Sequence, residues 1–85
     1  MGQTFPSLRN IEFLIDGNGE ITIGSIASIP CAATAADANQ CFAMLVRRDG
    51  ESLGQLLIRL DRAIEIAAED ETFIDEINNG PDDRL

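Results

Sequence analysis

Lysine, histidine, tyrosine and tryptophan are all missing from these 85 residues, and the six basic side chains are all arginine. Each absence removes a class of chemistry. Without histidine or tyrosine there is no imidazole or phenolic acid/base group. Without lysine there is neither a Schiff-base amine nor the lysine of a phosphate-binding loop. Two cysteines with no histidine cannot complete a zinc site. No catalytic, cofactor or metal site is expected, and the chain reads as a non-enzyme. No apolar run approaches the roughly 20 residues that span a bilayer. The opening MGQTFPSLRN has neither a positive n-region nor an apolar h-region. A cytoplasmic protein with no membrane partner is the expectation.

What is present is acid. Fifteen Asp and Glu against six Arg give a net charge of −9. The charge is unevenly spread: residues 1–60 carry four Arg and six acids, net −2, whereas 61–85 carry two Arg and nine acids, net −7. With that balance, nucleic-acid affinity is not expected. Hydrophobic residues at 45% and charged residues at 25% are those of a folding chain rather than a disordered one. At this length there is room for a single small domain over 1–85, with 79–85, which opens on Asn79-Gly80-Pro81, read as a disordered tail.

The expected fold class is α+β. Ile11–Ile15 and Glu20–Ser28 read as strands, and Asp16-Gly17-Asn18-Gly19 between them supplies two dipeptides suited to positive φ. An N-terminal antiparallel β-hairpin (about 11–15 and 20–28) follows. Residues 35–48 support two answers. As a helix, Thr34 and Asp37 make a capping box and Ala35, Ala38, Cys41, Phe42 and Leu45 form a stripe; as sheet, the same stretch becomes two further antiparallel strands around Ala-Asp-Ala-Asn-Gln. The helix is preferred. Ser52 and Gln55 form a second capping box that opens an amphipathic helix over about 53–70, which would cover the hairpin. A short C-terminal helix near 73–78 is expected to start at Thr72, because the acids Glu69, Asp70 and Glu71 would then sit at a positive helix start.

The residues Arg47-Arg48-Asp49-Gly50-Glu51-Ser52-Leu53, then Leu56-Leu57, Arg59-Leu60-Asp61, Ala63-Ile64 and finally Asp75-Glu76-Ile77-Asn78, resemble a pattern shared by a small group of uncharacterised bacterial proteins. The resemblance spans roughly the second half of the chain. It implies a bacterial cytosolic origin and brings no activity with it.

Other motifs have plain readings. Asp16-x-Asn18-x-Glu20 begins like a calcium loop, but Ile21 and Ala27 stand where that loop needs Gly and a bidentate Glu, so a turn is favoured. Asp61, Glu65 and Glu69, one helical turn apart, read as a solvated face. Cys31 and Cys41 fit no redox spacing and read as small apolar side chains, with a disulfide as the alternative.

The function expected from this inventory is a non-enzymatic protein-interaction module, working as a homodimer because so small a core is marginal alone. Ile58 and Ile66 fall off the buried face of the long helix, and Phe73, Ile74 and Ile77 could join them. Arg59 and Arg62 would form the charged rim. The acidic 65–83 segment could instead dock a basic protein partner. Two alternatives stand beside this: an antitoxin-like or regulatory protein binding DNA through its N-terminal hairpin with Arg9, Arg47 and Arg48, and a small thiol-dependent enzyme.

Overall fold

The computed structural model describes residues 8–77. Its elements run α1 (Arg9–Asp16), β1 (Glu20–Ile26), β2 (Ile29–Ala36), β3 (Cys41–Val46), α2 (Leu53–Asp70) and β4 (Ile74–Asp75). The strands form one sheet in the order β1-β2-β3-β4, antiparallel except for β4, which lies parallel to β3. This is an α+β fold. Among the described residues no helix is long and apolar enough to cross a membrane.

The alternation over 20–26 does make a strand, but its partner is β2, not 11–15. Ile11–Ile15 belongs to α1, so the expected N-terminal hairpin is replaced by a helix followed by a strand. The turn residues serve a different purpose from the one their chemistry suggested. Gly19 N–H donates to Leu14 O at 2.8 Å and Asn18 N–H to Ile15 O at 3.0 Å, while Asn18 takes φ 71°. That bonding pattern is a Schellman helix stop, which needs a positive φ as much as a hairpin turn does. Gly19 is also required by space, since a Cβ there would lie 2.5 Å from the Leu14 side chain and 2.8 Å from its carbonyl oxygen.

The preferred helix over 35–48 does not form; the alternative of two antiparallel strands does, as the end of β2 and β3. Asp37 does cap, but it caps the β2–β3 turn, where its Oδ1 accepts from Asn39 N–H at 2.7 Å and Gln40 N–H at 2.9 Å. The alanines that suggested a helix have a packing role. Ala33, Ala35 and Ala43 are fully buried beneath the helices, and their small side chains let α2 approach the sheet closely enough to bury Leu56 and Leu60 completely.

The long helix matches its expected span, and both halves of its capping box are present: Ser52 Oγ accepts from Gln55 N–H, and Gln55 Oε1 accepts from Ser52 N–H. Leu56, Leu60, Ala63 and Ile64 face the sheet, joined by Leu14 of α1, so both helices lie on one face. Leu53, the first residue of the helix, is 47% exposed.

In place of the short C-terminal helix expected near 73–78, the described residues have a two-residue strand at Ile74–Asp75. Ile74 pairs with Ala43 and Asp75 with Met44, and Glu76 N–H donates to Met44 O at 2.7 Å. Pairing with the open edge of β3 satisfies backbone groups that a single helical turn would leave unpaired. The expected tail at 79–85 lies outside the described residues.

Candidate functional site

The charged residues of the sequence pattern meet around one guanidinium. From the second turn of α2, Arg59 Nε and Nη2 grip Glu51 in a two-pronged contact at 2.7 and 3.0 Å. Nη1 donates to Glu76 Oε2 at 2.9 Å and Nη2 also donates to Val46 O at 2.9 Å. The two carboxylates in turn hold backbone: Glu51 Oε1 accepts from Arg48 N–H at 2.9 Å, and Glu76 Oε1 from Val46 N–H at 3.0 Å. Arg48 adds a looser contact to Glu76 at 3.6 Å. One side chain therefore ties α2 to the end of β3, to the loop before the helix and to the turn after β4.

Hydrogen bonding by Arg59 holds the Glu51 carboxyl well below its usual range, at about 2, against the opposing effect of burial. The same pair raises the pKa of Arg59 further. A carboxylate so firmly ionised and so fully hydrogen-bonded is a poor general acid or base near neutrality. The constellation is a structural clamp.

Asp61 is committed as well. Its Oδ1 accepts from the backbone N–H groups of Asn10 at 2.8 Å and Ile11 at 2.9 Å, and its Oδ2 from the Asn10 side chain at 3.0 Å. Leu8, at the start of α1, offers no side-chain cap, so a carboxylate from α2 supplies one from 50 residues away. Sequence reading placed Asp61 on a solvated face; nothing local signals a cap supplied by another helix.

The thiols are both free. Cys41 Sγ lies 3.6 Å from Ala35 O, and burial pushes its pKa up, with Asp75 adding to the effect. That shift runs against thiolate formation, which a nucleophile requires. Cys31 borders an open hollow of about 590 Å³ beside Arg47 and Arg48. Those arginines are partly engaged, Arg47 donating to Glu51 O at 2.8 Å and Arg48 contacting Glu76.

The residues expected to form one contact surface are dispersed. Ile58 is 49% exposed on α2 and Phe73 is 48% exposed beyond its end, with about 18 Å of helix between Ile58 and Asp70. Arg59 is consumed by the clamp, whereas Arg62 remains exposed and pairs with Glu65 at 3.1 Å. Ile66 is half-buried, Ile74 packs against the core, and Ile77 is half-buried with its N–H on Asp75 Oδ1.

Two aromatic residues were missed. Phe13 projects from α1 with 81% of its surface exposed. Phe42 is the extra residue of a bulge in β3, where Ala35 pairs with Ala43 but Ala36 already pairs with Cys41. The bulge turns Phe42 toward the helix side, where it packs against the core edge. Phe13, Phe42 and Phe73 surround the last turns of α2, above Ala67 and Ala68. The strand-like composition of 11–15 hides the exposure of Phe13, which follows from its place on α1. No family model matches the chain, and comparison with curated proteins and with solved structures returns no match.

Proposed function

We propose that this protein is a non-enzymatic contact module that works by docking another polypeptide. Phe13 carries the reading: a phenylalanine 81% exposed on a helix anchored at both ends buries little among the described residues, and large apolar groups gathered on a surface mark interaction sites. The absence of His, Lys and Tyr from the sequence, and the commitment of Glu51, Arg59, Asp61 and Glu76 to backbone and to one another, support contact over chemistry. The test is capture from native-host lysate on immobilised wild type and on the F13S/F73S variant. Polypeptides retained by wild type and lost by the variant are expected; identical retained sets would refute the reading.

Self-association is a second reading, favoured by Ile58, which is 49% exposed on α2 away from the acid-rich end, with Arg62 one turn further along the same face. A two-fold contact there would pair like surfaces with an arginine at the rim. Sedimentation equilibrium at about 100 μM should show a dimer that Ile58→Ser dissociates. A monomer at that concentration removes this reading without touching the first.

A further inference from the structure

The contact surface is a groove with a definite electrostatic sign. Two hollows, of about 140 and 280 Å³, meet at Phe42 and Ala68. Each falls below the roughly 300–1,000 Å³ of small-molecule pockets, and the pair suits a row of side chains rather than a cofactor. Phe13 walls one hollow, with Leu14, Ile64 and Ala68, and Phe73 the other, with Ala67, Ala68, Gln40 and Thr72. Acid rims both: Asp37 borders the first and Glu71 the second, and no arginine lines either.

The helix beneath ends in an electrostatically unfavourable way. Glu69, Asp70 and Glu71 stand in succession at the negative end of the α2 macrodipole, and its last turn has no basic residue. Glu71 closes the helix in the left-handed region at φ 57°, a conformation that favours glycine. The described arginines with charged partners spend them elsewhere, Arg48 and Arg59 in the clamp and Arg62 on Glu65. An external cation would relieve this end of the helix. A second copy of the chain would aggravate it, since two such grooves face to face would oppose acid to acid, each chain carrying −9.

We infer that this groove binds a basic amphipathic segment of another protein, apolar side chains seated between Phe13, Phe42 and Phe73 and flanking Lys or Arg side chains against Asp37 and Glu71. The inference rests on the contact-module reading and names the class of partner. Apolar burial supplies the affinity, and the acidic rim supplies orientation, a faster on-rate and salt sensitivity.

The experiment uses the full chain and two labelled synthetic peptides of leucine with lysine and leucine with glutamate, matched in length and pattern, read by fluorescence anisotropy. The lysine peptide should bind, and its affinity should fall about tenfold or more between low and high salt. The glutamate peptide should not bind. F13S/F73S leaves the net charge unchanged and alters exposed positions, so it should retain the wild-type circular dichroism and lose about tenfold in affinity. Glu71→Gln should weaken binding, whereas Asp49→Asn, beyond the opposite end of β3 from the groove, should not. Unchanged binding in F13S/F73S would reduce the effect to bulk charge attraction and overturn the inference. Equal binding of both peptides would overturn it too, as would a dimer dissociated by F13S/F73S, which would make a second copy the occupant. If neither peptide binds but lysate capture still depends on Phe13 and Phe73, the contact-module reading stands and the basic partner falls.

Discussion

Replacing Arg59 by methionine keeps most of the apolar stem and removes the guanidinium that the clamp is built on. The change strands Glu51, whose side chain is 8% exposed, and Glu76, at 21%, and strips Val46 O of a donor. Removing one partner from a fully buried ion pair costs about 3–5 kcal/mol. Arg59 is 23% exposed, so water recovers part of this and the expected loss is about 2–3 kcal/mol. Linkage gives a similar figure. Lowering the Glu51 pKa from 4.5 to about 2 corresponds to about 3 kcal/mol, reduced toward about 2 by solvent screening at the loop.

Against a total stability of about 4–13 kcal/mol for a chain of this size, such a loss is large, and the midpoint of thermal unfolding should fall by on the order of 10–20 °C. Urea unfolding followed by far-ultraviolet circular dichroism is the assay, because there is no Trp or Tyr to report by fluorescence. The pH dependence has a definite sign. A carboxyl whose folded pKa is depressed stabilises the fold fully above its unfolded value of 4.5, and that contribution disappears as pH falls toward about 2. The gap between wild type and Arg59→Met should therefore narrow over that window. A gap below about 1 kcal/mol at pH 7, or one independent of pH, would refute the clamp. Arg62→Met serves as the control, since its pair with Glu65 is 70% and 33% exposed and should contribute under about 0.5 kcal/mol.

Three further outcomes test other parts of the structure. Asp61→Ala should cost about 1–2 kcal/mol by uncapping α1, with faster hydrogen exchange at Asn10 and Ile11 while the amides of α2 stay protected; protection of those two amides unchanged from wild type would contradict the cap. Glu71→Gly should raise stability by about 0.5–1 kcal/mol, because glycine accepts the left-handed φ and an acid leaves the negative end of α2; a fall in the urea midpoint would count against this. Cys41 should react with a disulfide reagent at pH 7.5 more slowly than an unstructured cysteine, as its raised pKa lowers the thiolate fraction. Faster reaction would reopen a nucleophilic role.

Phe42 and Asp61 show why parts of the candidate site were hidden in the sequence. Phe42 faces the helices only because β3 bulges against β2, and a bulge depends on the register of two strands rather than on either alone. Asp61 is an unremarkable helical acid until α1 arrives with two unpaired N–H groups. Ile58 is legible, because departure from the apolar face of a helix can be read from spacing, whereas Phe73 is exposed without the C-terminal helix on which it was expected. Ile74 is not legible, because its burial follows from pairing with Ala43.

The sequence by itself determined α2, through a capping box and an apolar period contained within 18 consecutive residues. It also determined the strand over 20–26, the α+β class and the concentration of acid in the last third of the chain. Tertiary structure decided the elements whose local signals were balanced. Ile11–Ile15 has the β-branched and aromatic composition of a strand, yet it is helical because Asp61 caps it and Leu14 reaches the core of α2 and the sheet. The alanine-rich 32–36 segment has helical composition, yet it is a strand because its small side chains are needed beneath Leu56 and Leu60. Local propensities differ by well under about 1 kcal/mol per residue, whereas burying one large side chain contributes about 1.5–3 kcal/mol, so packing settles whatever the chain leaves undecided.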